Sequence, residues 1–265
     1  MERLLGSHPH VEMHHEYLCT HVQPLAVRYY LGLIDDDEAC AALAQLHGRA
    51  LHYCTREYFG DSSNKLAWLI KPLNRLFPQA KFIHLVRDGR KVTSSFFNKL
   101  GDECYDDDSN AILQRWYDDP SRYPPPPPEK RYWWNVPRRD DPRAASFRRY
   151  NQFQRICFHW NEINRTIQTQ LAQIDPQRHR TYRLETLTRQ PEQLREMLAF
   201  LALPYRDELA EMLLRPHNVN RPVNYPLTDT QTQQFWAIAG EMMQHFSYSH
   251  APEYEVVYHP KEPRQ

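Results

Sequence analysis

The chain has 265 residues with 33 Lys+Arg against 33 Asp+Glu, a formal charge of zero that excludes the broad basic field by which nucleic-acid-binding surfaces displace counterions. A hydrophobic fraction of 41% that includes 6 Trp, 16 Tyr and 11 Phe excludes global disorder, and no apolar run approaches the roughly 20 residues of a membrane-spanning helix. Only 7 Gly occur, none clustered, which excludes an internal glycine-rich phosphate cradle of the GxGxxG or Walker type. Five scattered Cys without ligand spacing suit a reducing compartment better than a disulfide framework, so a cytoplasmic location is expected.

Met1 to Ser7 reads as the last turns of a helix, with Leu4 and Leu5 apolar, running into the turn-forming His8-Pro9 pair. Val11 to Glu16 is short and mixed, and an apolar, aromatic stretch follows it to Asp35. Asp35-Asp36-Asp37-Glu38 supplies an acidic first turn, favourable against the helix dipole, to a helix bearing Ala42, Leu43, Leu46, Ala50 and Leu51. Asp61 to Asn64 reads as a turn, Pro72 to Phe77 as a helical turn and Lys81 to Val86 as a buried strand. Arg87-Asp-Gly-Arg90 then turns into a helical pattern through Val92, Ser95, Phe96 and Lys99.

From Asp102 to Arg149 the composition becomes acidic, then carries five consecutive prolines (Pro124 to Pro128), then Trp133, Trp134, Arg138 and Arg139; it reads as an irregular insertion with polyproline II over the prolines. Helical spacing resumes from Tyr150 to Ile174 and closes at Pro176. Thr181 to Glu185 reads as a short strand, and Pro191 opens a helix with Leu194, Met197, Leu198 and Leu201 on one face. Thr228 with Gln231 forms a capping box for a last helix bearing Phe235, Ile238, Met242 and Phe246. The alternation predicts an α/β fold in one domain, residues 1–265, with a mainly parallel sheet covered on both faces and ligands at the carboxyl ends of its strands.

Phe77-Pro-Gln-Ala-Lys-Phe-Ile-His-Leu-Val-Arg-Asp-Gly-Arg-Lys-Val-Thr-Ser-Ser-Phe-Phe97 places an arginine at the end of a strand and a serine eight residues later on the next helix. A guanidinium fork and a hydroxyl so spaced can surround one phosphate. The segment resembles the 3′-phosphate-binding motif of sulfotransferases that use 3′-phosphoadenosine 5′-phosphosulfate (PAPS). That resemblance implies a P-loop-type three-layer fold, with Arg87 and Ser95 holding the nucleotide. An Arg87 that merely pairs with a neighbouring carboxylate is the open alternative.

His8-Pro9-His10-Val11-Glu12-Met13-His14-His15-Glu16 is similar to the segment after the first helix of tyrosylprotein and related bacterial sulfotransferases, which implies Glu16 as the base, with Glu12 in reserve. A solvated loop carboxylate is the alternative, and the histidines lack the partner cluster a metal site needs. Ser63-Asn64-Lys65 is similar to the family's lysine facing the sulfuryl group, against a plain surface lysine. Trp160, then Tyr182 to Leu187, then Pro191 to Leu201 follow the family order, with Leu184 where a tyrosine commonly contacts adenine; Trp160 itself suits the core. His217 to Arg221 resembles the late loop over the nucleotide, which adds Arg221 as a phosphate contact.

The family opens with a strand and a G-x-P-R-S-G-T-T loop that cradles the 5′-phosphosulfate. Here the match starts at Arg3 to Pro9, inside the following helix, so the natural chain is expected to begin upstream, and one starting at Met1 to be inactive. The implied activity is sulfuryl transfer from PAPS, without metal, to an acceptor hydroxyl on a carbohydrate, lipid, peptide or small metabolite. The insertion is expected on the acceptor side, or as a flap without substrate contact. A non-catalytic descendant that binds adenosine 3′,5′-bisphosphate or a protein partner is the alternative, and a nucleotide kinase a third reading without a visible Walker lysine.

Overall fold

The structure, a computed structural model, describes residues 1–214 and 225–250. Helix α1 (Glu2–Gly6) leads into β1 (Val11–His15), α2 (Cys19–Tyr30), α3 (Asp36–Leu43), a π-helical turn (Ala44–Gly48), α4 (Arg49–Tyr53) and β2 (Tyr58–Ser62). A 3-10 turn (Lys65–Leu69) then enters α5 (Ile70–Leu76), β3 (Phe82–Val86) and α6 (Gly89–Lys99). After α7 (Asp107–Asp118) and α8 (Ala144–Phe147) come α9 (Gln152–Leu171), β4 (His179–Arg183), α10 (Leu184–Arg189), α11 (Pro191–Phe200), α12 (Asp207–Leu214) and α13 (Asp229–His245). Local chemistry starts the helices. Asp35 with Glu38 and Thr228 with Gln231 form the capping boxes of α3 and α13, and Asn151 with Gln154 forms a third at α9.

Among the described residues the fold is mixed α/β with parallel strand pairing, in two short sheets rather than one. β1 pairs with β2 from Val11 opposite Tyr58 to His15 opposite Ser62, and β3 pairs with β4 from Phe82 opposite His179 to Val86 opposite Arg183. Every residue of β2 and of β3 lines one cavity of about 1760 Å³, so a void separates the two pairs where continuous pairing was expected. The turn expected over Asp61 to Asn64 begins as the end of β2, and Val11 to Glu16 is largely β1. β4 starts at His179 rather than Thr181, and Glu185 belongs to α10.

Helix α9 occupies the centre. Its Ile156 and Phe158 join Val22, Tyr30, Trp68, Leu113, Trp133 and Trp134 in the largest apolar cluster, while Phe153, Cys157 and Trp160 pack with Val86, Phe235 and Met243. The stretch from Asp102 to Arg149 is therefore not irregular throughout, and part of it belongs to the core. It contains the 12-residue α7, and Trp133, Trp134, Val136 and Phe147 are buried. Indole N–H groups that enter a core need acceptors, and Trp133 donates to the Pro127 carbonyl and Trp134 to the Glu103 carbonyl, each at 2.6 Å. No helix among the described residues is long and apolar enough to cross a membrane, and all five cysteines are unpaired.

Candidate active site

The turn after β3 is held from three sides. The Asp88 carboxylate accepts from the Arg90 backbone N–H at 2.9 Å and pairs with its guanidinium at 2.7 Å, closing the start of α6. The Asp88 N–H donates to Glu185 at 2.9 Å, while the other Glu185 oxygen accepts from the Tyr248 hydroxyl at 2.8 Å. The Arg87 carbonyl accepts from the Trp160 indole at 3.2 Å. Gly89 lies so close to this packing that a Cβ there would come within 2.7 Å of Phe235 and 2.8 Å of Trp160, so only glycine fits.

Both Arg87 and Ser95 line the large cavity, together with Lys91, Ser94, Lys99 and Leu184. Neither the Arg87 guanidinium nor the Ser95 hydroxyl has a hydrogen-bond partner among the described residues, so the strand-end arginine is not neutralised by a carboxylate there. The Lys99 ammonium is held below its ordinary pKa by burial and then by the nearby Arg87 charge. Trp160 is a core residue whose indole also borders this cavity.

A second group gathers at the ends of β1 and β2. Glu16 takes a left-handed φ of 52°, and its N–H donates to the Ser62 carbonyl at 3.1 Å. Its carboxylate accepts from Lys130 Nζ at 2.7 Å, so it is not a free solvated carboxylate. Lys65, the first residue of the 3-10 turn, is fully buried rather than a surface lysine. Its Nζ lacks a hydrogen-bond partner among the described residues and sits 3.5 Å above the centre of a Trp134 ring. Burial pushes Lys65 down to about 7, with Cys104, Lys130, Glu16 and Cys19 acting on it electrostatically. Asn64, Leu66 and His15 are cavity walls while Lys65 and Glu16 are not, so the structure does not bring these two side chains into the space that Arg87 and Ser95 line.

Glu12 is occupied differently. Its carboxylate accepts from His14 at 2.9 Å, and hydrogen bonds from His14 and Cys54 hold it below the usual carboxylate range. The histidines of this segment are dispersed: His10 faces Glu57 at 3.4 Å and His15 contacts the Ser62 carbonyl at 3.0 Å. Among the described residues no group of three or more His, Cys, Asp or Glu could hold a metal ion.

Residues 1–124 match the sequence model of a sulfotransferase family. Over that stretch the chain is sulfotransferase-like. The match covers 124 of the 265 residues and includes Glu16, Lys65, Arg87 and Ser95. One solved structure, the sulfotransferase domain from the curacin biosynthetic pathway, aligns with 85% of this chain and 78% of its own at 15% identity, with a TM-score of 0.41. No curated protein matches the chain.

Three features of this site escape sequence reasoning. Lys130 and Trp134 lie beyond the matched residues, and nothing in a Pro-rich stretch signals which of its cations turns inward; the paired tryptophans were the one available hint of a buried segment. The third is a buried pair in which His47 Nε2 meets Asp61 Oδ2 at 3.0 Å, while the other Asp61 oxygen accepts from the Tyr17 N–H at 3.2 Å. That pair braces the turn that follows Glu16. Arg221 lies outside the described residues.

Proposed function

We propose that the protein moves a sulfuryl group from PAPS to an acceptor hydroxyl. The observation that supports this reading best is the pairing of Arg87 and Ser95: across one strand, turn and helix, both present unpartnered polar groups to the same cavity. A guanidinium fork with a nearby hydroxyl suits a ribose-attached phosphate dianion, and charge-assisted hydrogen bonds of this kind contribute about 1.5–3 kcal/mol each. The volume of about 1760 Å³ is ample for a nucleotide.

In the proposed step the acceptor oxygen attacks sulfur, the bond from sulfur to the bridging phosphate oxygen breaks, and adenosine 3′,5′-bisphosphate leaves. In this reading the acceptor proton passes to the Glu16 carboxylate, a group of the kind suited to general-base work. Lys65 as an ammonium offsets the negative charge that develops on the leaving oxygen. The step as written requires no metal ion. Because burial brings Lys65 to about 7, its cationic form dominates below that pH and is lost above it. The five free thiols support a reducing compartment, the cytoplasm, as the place of action.

Titration calorimetry with adenosine 3′,5′-bisphosphate tests the reading. The parent chain is expected to bind, and Arg87→Ala to weaken binding by roughly 10- to 150-fold. Binding without any transfer would favour the non-catalytic alternative; an Arg87→Ala variant that binds as the parent does would remove the basis of the proposal.

A further inference from the structure

We propose that Lys130 is a positioning residue of the transfer site, one that orients the Glu16 carboxylate and keeps it from closing onto the Lys65 ammonium. The inference rests on the transfer reading above and deepens it, because it assigns a role to the segment beyond the family match.

Glu16 is fixed at its backbone by the left-handed turn and the hydrogen bond to Ser62, but its side chain has one polar partner among the described residues, Lys130 Nζ at 2.7 Å. Lys130 is not a loose surface lysine. It opens a short 3-10 turn (Lys130–Tyr132) just after the five prolines, whose rings restrict the backbone that delivers it. The turn is anchored on both sides. Trp133 N–H donates to the Lys130 carbonyl at 3.2 Å, its indole ties back to Pro127 at 2.6 Å, and its carbonyl accepts from Gln23 at 2.6 Å. Arg131 bonds Ser109 at 3.0 Å and Asp106 at 3.1 Å. Burial works against the Lys130 charge, yet the Glu16 carboxylate outweighs it and raises the Lys130 pKa.

The same segment supplies Trp134, the ring beneath the otherwise unpartnered Lys65 ammonium. Both cations act on the same carboxylate, Lys130 through a direct ion pair and Lys65 through space. Without Lys130, Glu16 would turn to Lys65, and a mutual ion pair would tie up both the proton acceptor and the cation meant for the leaving oxygen. With Lys130 in place, Glu16 is held aside and Lys65 rests on an aromatic face, attracted without being neutralised. The groups that act on Lys65 are Glu16 at the end of β1, Cys19 on α2, Cys104, and Lys130; His159 on α9 feels Lys65 in turn.

The test is an NMR pH titration of the full chain, following the Lys65 side-chain carbon and nitrogen and the Glu16 carboxyl carbon. Lys130→Met is expected to raise the Lys65 midpoint by one pH unit or more, and Lys130→Arg to restore parent behaviour. Glu16→Gln is expected to lower the Lys65 midpoint further, and it supplies an independent readout should Lys130→Met fold poorly. A Lys65 midpoint unmoved by Lys130→Met, or one that Glu16→Gln leaves in place, would overturn the proposal. Affinity for adenosine 3′,5′-bisphosphate, set by Arg87 and Ser95, is expected to survive Lys130→Met. A parent that fails to bind the bisphosphate would overturn the transfer reading and this one with it, whereas an unmoved Lys65 beside normal binding overturns this one alone.

Discussion

A buried ammonium without a hydrogen-bond acceptor destabilises the fold that contains it, since desolvation is only partly offset by a ring face. Lys65 is such a group. Lys65→Met is therefore expected to raise stability by about 1–3 kcal/mol in denaturant unfolding. A loss of stability would show that the ammonium is instead a structural requirement of the fold. His84 marks the opposite case, a buried imidazole kept neutral between Asn164 at 2.9 Å and Gln168 at 3.1 Å, with burial bringing it down to about 4. Its folded pKa lies below the unfolded value of about 6.5, so the unfolded chain binds the proton first, and stability is lost as pH falls from about 6.5 towards 4. The loss attributable to this residue should approach about 3 kcal/mol. Unfolding curves of parent and His84→Gln, compared across that window, read it as the difference between their pH dependences.

At the scale of elements, the strand, turn and helix from Phe82 to Lys99 are both the most legible part of the chain and the most constrained. Phe82-Ile-His-Leu-Val86 is almost uninterruptedly apolar because β3 packs against the core, and Gly89 is required because Trp160 and Phe235 leave no room for a Cβ. Gly89→Ala is expected to destabilise by about 1–3 kcal/mol and to weaken bisphosphate binding by displacing Arg87, as unfolding and calorimetry on the same variant would show. β1 and β2 were not legible for the converse reason. Their sequences, Val-Glu-Met-His-His and Tyr-Phe-Gly-Asp-Ser, end in polar residues that serve the site, and those residues break the apolar pattern by which a strand is recognised. Arg87 and Ser95 could be named from their spacing together with the resemblance of their segment to a sulfotransferase motif, and both reach one cavity. Lys130 could not be named at all, because its position depends on how a proline run and two tryptophans fold back onto α2 and α9.

Across the whole molecule, two parallel strand pairs border one cavity, and the stretch from Asp102 to Arg149 closes the far side of the charged cluster as part of the core. Composition hid this, since acidic and proline-rich sequence reads as loop while its buried fraction is concentrated in a few aromatic side chains. Hydrogen exchange should show Trp133 to Val136 protected to a degree comparable with α9; rapid exchange there would mean that the segment is a detachable cover. The claim on which the functional reading depends is that Arg87 and Ser95 grip a 3′-phosphate. It is tested most directly by measuring the affinities of parent and Arg87→Ala for adenosine 3′,5′-bisphosphate and for adenosine 5′-monophosphate, which lacks that phosphate. The parent should prefer the bisphosphate by at least 10-fold, about 1.4 kcal/mol, and Arg87→Ala should lose most of that preference. Equal affinity of the parent for both nucleotides, or a preference undiminished in Arg87→Ala, would contradict it.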